Sequence, residues 1–354
     1  SGENVMHGSL PYRIIEEQFD SVSLLGTQRH IYRLLKKYEA GADVYIVDGH
    51  RFMYAAGLYR LLFGRVPIAA FINQYLSCWK QYESSFFPQP YVSFAVRIKQ
   101  TIRRSLERIL GMYLANRVDI YAFVSPTLRK MYEDFGMRHG SRDMVIGDPI
   151  DIQGLMNAGN VTETSYTDRL KRTPPITLFF SSRMSPGKGF DMLLQGFARV
   201  KNKNDFRVIL GGTGPEENYV QGMVSELGLN EYVTLTGWVS KEQLFSYYKE
   251  ADVFLQADWW PAGTSISLIY ALAFGVPSIL PGGGGLEWNA GKSALYFPYR
   301  DPDALARRIE EIGSDHVLRA ELSAQCYARL KENDMDYPAR IKEFAARLMT
   351  IEGK

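Results

Sequence analysis

From residue 176 to residue 312 the sequence alternates between short apolar runs and longer stretches of helical spacing. That alternation restricts the fold to an open parallel sheet with helices on both faces. The first unit reads ITLFFSSRMSPGKGFDMLLQGFARVK from Ile176. Residues 176–180 are the continuous apolar run of a strand buried on both faces. Pro186, Gly187 and Gly189 then break the chain into a tight turn. Phe190, Leu193, Leu194, Phe197 and Val200 follow at the three-and-four spacing of a helix packed on a sheet. The strands FRVIL, YVTLTGWV, DVFLQA, VPSIL and ALYFPY come next. Between them lie helices through Val220, Val224 and Leu227, through Leu244 and Tyr248, and over residues 264–274. Ser240 and Gln243 form a capping box for the second of these, and Asp301-Pro302-Asp303 opens a further helix with a cap and a first-turn proline.

The upstream half repeats the pattern more weakly. DVYIVD at Asp43, VPIAAFI at Val66 and DIYAFVS at Asp119 are strand candidates for a second, smaller α/β sheet. Because the first clear strand begins only at Asp43, an initial strand–helix unit is expected to be missing or irregular. With 354 residues, about two domains are expected. The polar stretch at residues 157–175, closing on Pro174-Pro175, reads as the joint. The expected division is residues 1–165, residues 166–335, and a terminal helix at 336–354 that packs back on the first domain.

Composition removes several function classes. A formal charge of +2 gives no basic footprint for nucleic acid. Cys78 and Cys326 lie far apart and in no metal-ligand spacing, and the five histidines form no cluster, so no protein-held metal is expected. No apolar run approaches the ~20 residues of a membrane span, and no leader sequence is read. A cytoplasmic compartment is the economical expectation.

The chemistry concentrates on four loops that leave the carboxyl ends of the downstream strands. They carry Arg183 and Lys188, the turn at residues 211–214, Trp238 with Val239, and Gly263, Thr264 and Ser265. Two cations, glycines that admit close backbone approach, two hydroxyls and free helix N–H groups suit a nucleoside diphosphate. A dinucleotide oxidoreductase fails on spacing, since Gly211, Gly212 and Gly214 do not make G-x-G-x-x-G and no acid ends the next strand.

The stretches SSRMSPGKGFDMLLQGFARV, VILGGTGPEEN, VTLTGWVSKEQLFSYYKEADVFLQA and SLIYALAFGVPSILPGGGGLEWNAGKSALYF, in this order, resemble the nucleotide-binding domain of retaining GT-B glycosyltransferases. Upstream, ADVYIVDGH, DIYAFVSPTLRKMYEDFG and VIGDPID resemble the acceptor domain of that family more faintly. The resemblance implies two Rossmann-like domains with parallel sheets facing across a cleft. It also implies a metal-independent transfer of a sugar from a UDP- or GDP-linked donor to an acceptor hydroxyl on a glycan or lipid-linked saccharide, with no further cofactor. By the same resemblance Arg183 and Lys188 match the diphosphate-binding catalytic pair, whose charge takes the place of a divalent metal. Gly263, Thr264 and Ser265 match the phosphate loop, and Trp238 and Val239 the loop that packs on the base.

The chain departs from the family pattern at its two usual glutamates, where Ala262 and Tyr270 stand. Tyr270 then offers the ribose one phenolic hydroxyl or simply packs, and Asp258 is the nearest substitute at the sugar. Asn73 stands where many members have a histidine, and Asp148 where asparagine is usual. His50, after Asp48 and Gly49, is more often structural than an acceptor contact. Trp259 and Trp260 read as a packed loop or a sugar platform, and Glu287 as a family acidic position or a turn cap. The missing glutamates keep a second function open, a catalytically inactive partner or chaperone subunit of the same shape.

One segment stands apart. Phe94, Ile98, Ile102, Leu106, Ile109 and Tyr113 form an apolar helical stripe, with Arg97, Arg104 and Arg108 on one flank, Lys99 and Arg103 on the other, and Glu107 as the one acid. The simplest expectation is a helix buried on its own domain. The sharper one is an interfacial helix whose basic flanks reach anionic headgroups at the inner face of a membrane.

Overall fold

The computed structural model describes residues 23–351, apart from residues 75, 77–93, 139, 141–142, 149, 168–169, 171–174 and 260–262. The first lobe runs α1 (Leu24–Lys37), β1 (Tyr45–Asp48), α2 (His50–Leu61), β2 (Ile68–Ile72) and α3 (Phe94–Leu106). A π turn at Glu107–Gly111 leads into α4 (Met112–Ala115), then β3 (Ile120–Phe123), α5 (Pro126–Phe135) and β4 (Met144–Val145). Its sheet is parallel throughout, in the order β1-β2-β3-β4. The order advances in one direction, so the described part of this sheet holds no reversal.

The second lobe follows α6 (Ile152–Gly159). It comprises β5 (Ile176–Ser181), α7 (Phe190–Ala198), β6 (Phe206–Gly211), α8 (Glu217–Glu226), β7 (Val233–Gly237) and α9 (Lys241–Glu250). It continues with β8 (Val253–Leu255), α10 (Ile266–Ala273), β9 (Ser278–Pro281), α11 (Gly285–Ala290), β10 (Ala294–Phe297), α12 (Pro302–Ser314) and α13 (His316–Leu330). Six parallel strands lie in the order β10-β9-β8-β5-β6-β7. Every residue of β5 is buried, as a strand covered on both faces requires. The order reverses between β5 and β8, which is where such a sheet opens a crevice beyond its carboxyl edge.

Two packing results differ from the sequence reading of the organisation. Leu155 and Val161 join the core of the second lobe, so α6 sits there although it falls within the expected first domain of residues 1–165. The chain crosses between lobes near Gly147 and Asp148, upstream of the polar stretch read as the joint. Gly147 faces Trp288 and the Asp334 carbonyl, which bring the second lobe against this crossing. The last helix, α14 (Tyr337–Met349), returns to the first lobe. Phe344 and Ile351 pack with Ala69, Ile120, Ala122, Met144 and Ile146. The Arg340 guanidinium donates to the Val145 carbonyl, and Arg347 Nη1 donates to the Asp143 carbonyl at 3.1 Å.

The simplest expectation for the amphipathic helix does not hold. Ile98, Ile102, Leu106, Ile109, Leu110 and Tyr113 are between 44% and 74% exposed. The face turned inward is Glu107, Gly111, Met112 and Ala115. The lobe holds this segment by close backbone approach rather than through its apolar stripe. A Cβ on Gly57 would meet the Leu114 carbonyl oxygen at 1.9 Å, and one on Gly111 would meet the Tyr54 ring at 2.9 Å. Among the described residues no helix is long and apolar enough to cross a membrane.

Candidate functional site

The crevice at the sheet reversal is walled by the loops after β5 and β8, and the first of these is moulded by its neighbours. Gly189 has φ +75°, and a Cβ there would lie 1.9 Å from the Ala257 carbonyl oxygen. Only glycine lets the β5 loop press on the β8 loop so closely. On the other flank, a Cβ on Gly212 would lie 1.9 Å from the Ser182 carbonyl oxygen and one on Gly214 2.3 Å from that of Met184. The Ser182 N–H donates to Gly211 at 3.1 Å, the Met184 N–H to Thr213 at 2.9 Å, and the Glu216 N–H back to Met184 at 3.0 Å. The glycines at 211–214 therefore brace the Arg183 loop. The close approach read for these glycines is made here, at Gly212 and Gly214, to protein backbone.

Lys188 and Asp258 meet at the floor of the crevice, with Nζ 3.6 Å from Oδ2. Asp258 is buried, and its Oδ1 has no hydrogen-bond partner among the described residues. Burial pushes this carboxyl above its ordinary value, while Lys188 and the Gln256 side chain pull it back. Arg183 is exposed, with no ion pair or hydrogen bond among the described residues. The fold thus brings together Lys188 and Asp258, which the sequence marked separately, on the same loop as the exposed Arg183.

The start of α10 forms the other wall. Ser265 is its N-cap, accepting the Leu268 N–H at 3.3 Å. Ser267 Oγ donates to the Ser181 carbonyl at 2.8 Å and Tyr248 donates to the Ser267 carbonyl at 2.7 Å, so the helix end is tied to the end of β5. Asp148, at the crossing from the other lobe, is raised by burial, with the nearby Thr264 hydroxyl opposing. Asp148 keeps one buried oxygen, Oδ2, without a partner among the described residues.

Other marked residues are placed as follows. Trp238 follows Gly237 on the edge strand β7 and is 74% exposed, with Val239 half-buried beside it. The Tyr270 ring packs 6.1 Å from Phe245 and 5.9 Å from Tyr248, centroid to centroid, so packing alone accounts for an aromatic here. Trp259 is a buried brace and not a sugar platform. Its Nε1 donates to Asp191 at 3.1 Å and its backbone N–H to Gly187 at 3.0 Å. Ala262 and Trp260 lie outside the described residues. Glu287 accepts the Gly283 N–H and so caps the glycine turn.

In the first lobe Asn73 Nδ2 donates to Asp48 Oδ1 at 3.0 Å, joining the ends of β2 and β1. His50 is buried at the start of α2, and burial holds its imidazole down to about 4, against the pull of Glu107. It sits in the field of the π turn as a buried ring, in keeping with the structural one of its two readings. Two residues near the site escaped the sequence reading. Asp191 was hidden inside a helix run, and Tyr299, which feels both Asp258 and Glu287, had no motif to mark it.

Residues 175–315 match the protein family described as glycosyl transferases group 1. This stretch belongs to that family. Mannosylfructose-phosphate synthase of Agrobacterium fabrum is 31% identical over 187 residues, 49% of this chain and 40% of that protein. A GDP-mannose-dependent alpha-(1-6)-phosphatidylinositol monomannoside mannosyltransferase of Mycolicibacterium smegmatis is 29% identical over 143 residues, 38% of this chain and 37% of that protein. The matched stretches thus span less than half of these relatives. Across both lobes the structure resembles Anabaena Alr3699/HepE in complex with UDP and glucose, with a TM-score of 0.70 at 15% identity, covering 95% of this chain and 84% of that one. The group 1 glycosyltransferase stretch is therefore one lobe of a GT-B fold.

Proposed function

We propose that the protein is a retaining, metal-independent glycosyltransferase that moves a sugar from a UDP- or GDP-linked donor to a hydroxyl of a glycan or lipid-linked saccharide. The observation that carries this reading is Lys188 paired with the buried Asp258, on the loop that also carries the exposed Arg183, at the reversal of the second sheet. A leaving nucleoside diphosphate builds negative charge as the glycosidic bond breaks. Two cations on the loop at a strand end, one held by Asp258 and one free to swing onto the ligand, stabilise that charge where it develops. Lys188 is held at 3.6 Å by Asp258, a distance that leaves its remaining N–H donors for a phosphate oxygen. Asp258 is the group in this chain that accepts a donor-sugar hydroxyl, through Oδ1, which has no partner among the described residues.

Trp238 offers an exposed face to the base, and Asn73 with Asp48 offers polar groups on the acceptor side. In a retaining transfer the leaving phosphate takes the acceptor proton on the face it departs from, so no side-chain nucleophile is required. The Mycolicibacterium and Anabaena proteins, described with a GDP-mannose donor and with bound UDP and glucose, support a nucleotide sugar without deciding the base. A cytoplasmic site of action, where nucleotide sugars are available, goes with this reading.

Calorimetry with UDP, GDP, ADP and CDP tests the donor site, and product anomers read by NMR test the stereochemistry. One diphosphate is expected to bind and to stabilise by ~2.7 kcal/mol at a hundred times its dissociation constant. Turnover should survive a chelator and be lost in Lys188→Ala. An inverted product refutes retention. Diphosphate binding without donor hydrolysis or transfer favours an inactive partner subunit, the reading that Tyr270 in place of a glutamate would suit.

A further inference from the structure

We propose that the outer face of residues 98–117, with the arginine-lined cleft at its end, docks on an anionic phospholipid surface. Ile98, Ile102, Leu106, Ile109 and Leu110 stand exposed along this face. A cleft of about 560 Å³ opens where the helix meets the end of α5. Arg108, Arg117 and Arg138 line it, with Ile109, Met112 and Tyr113 as its apolar walls and no carboxylate among the lining groups. Arg117 is set in place, its Nη2 donating to the Tyr113 hydroxyl at 3.0 Å and its guanidinium 5.1 Å from that ring's centroid.

Charge complementarity selects the occupant. Glu107, the acid of this helix, is buried and accepts from Arg103 at 2.9 Å, so it faces inward and does not neutralise the outer surface. What remains outward is an apolar stripe bordered by Lys99, Arg104, Arg108, Arg117 and Arg138. A neutral protein partner would cover the stripe and leave these cations uncompensated. An anionic bilayer satisfies both, taking the apolar side chains at the acyl boundary while the basic groups meet headgroup phosphates. Guanidinium groups bind a phosphodiester in two-pronged fashion, and the cleft presents three around one opening. The surface lies on the first lobe, away from Arg183 and Lys188, so it holds whether or not the donor reading does.

The test is co-sedimentation of the full chain with vesicles of phosphatidylcholine, with and without phosphatidylglycerol. Wild type is expected to partition to the anionic vesicles and to be released by salt. Arg108→Gln with Arg138→Gln should lower partition roughly 25-fold, at about fivefold per basic group. Ile109→Ser with Leu110→Ser should lower it roughly tenfold or more. Both double variants should keep the wild-type melting curve and nucleoside diphosphate affinity, which separates failure here from failure of the donor site. Should the serine pair unfold, Ile102→Gln carries the same test one turn or more from the cleft. Equal binding to neutral vesicles, no vesicle binding, or binding indifferent to the arginine pair overturns the proposal. So does saturable inorganic phosphate binding, lost in the arginine pair, without vesicle association, since the cleft is then a free-phosphate site.

Discussion

Gly189→Ala is the substitution that most directly tests how the crevice is built. The new Cβ would lie 1.9 Å from the Ala257 carbonyl oxygen and 2.9 Å from the Asp258 nitrogen, both backbone atoms that cannot swing aside. Ordinary contact begins near 3.4 Å, so the two loops must part by about 1.5 Å. At φ +75° an alanine also carries a left-handed penalty of ~1–2 kcal/mol. Overpacking adds ~1–3 kcal/mol. Together these predict a loss of roughly 2–5 kcal/mol, or on the order of 5–20 °C in the melting of a lobe this size. Parting the loops also separates Lys188 from Asp258, so diphosphate affinity should fall alongside stability. Gly222→Ala is the internal control. Gly222 lies within α8 with open space around a built Cβ, and the same chemical change there should stabilise by ~0.5–1 kcal/mol. Thermal melts and calorimetry with the bound diphosphate read both. If Gly189→Ala matches wild type in melting and in affinity, the β5 loop is not set by its contact with Ala257, and the geometry argued for Lys188 is wrong.

Other substitutions separate the roles proposed around the crevice. Lys188→Ala should weaken nucleoside diphosphate binding roughly 10- to 150-fold, for one charge-assisted contact of ~1.5–3 kcal/mol, as read by calorimetry; unchanged affinity removes Lys188 from the site. Trp238→Ala should cost ~1–3 kcal/mol of nucleoside diphosphate binding through lost stacking while leaving inorganic pyrophosphate affinity as it was, and equal losses for both ligands would count against base stacking. Burial raises the Asp148 carboxyl, with the Thr264 hydroxyl opposing. A folded pKa above the unfolded one favours folding fully below the unfolded value and loses that contribution as pH rises through the folded value. Asp148→Asn should therefore be more stable than wild type at neutral pH, with the gap closing on acidification toward about pH 4; denaturant melts in which the gap widens as pH falls contradict the buried-charge argument.

The second lobe was legible because parallel strands covered on both faces leave a continuous apolar signature, and β5 is buried from Ile176 to Ser181. Arg183 and Lys188 were legible because a strand end, a glycine turn and a helix start have fixed geometry. The contacts that shape the loops around them were not. Trp259 and Asp191 meet across 68 positions of sequence, and nothing local says that one hydrogen-bonds the other. The glycines at 211–214 were read as admitting close approach, and sequence reports that such approach is possible but not what approaches. In the first lobe β4 is two residues long, too short to show a period, and the crossing at Gly147 and Asp148 has no linker composition.

The amphipathic helix shows the same limit from the other side. A period of 3.6 says that Ile98, Ile102, Leu106 and Ile109 share a face, and the reflex is to bury that face. Here the lobe spends two glycines, Gly57 and Gly111, on bringing backbone against backbone and ring, and takes Glu107 inward. That arrangement is expensive for a helix that only needed a place to pack, because a buried carboxylate oxygen, Glu107 Oε2, is left without a partner among the described residues. It follows if the apolar stripe is required on the outside. The unsatisfied carboxylate and the exposed isoleucines are then two consequences of one orientation. Turning the helix about its axis to bury the stripe would leave Lys99, Arg104 and Arg108 with nothing apolar beside them, and would remove the combination that an interface needs.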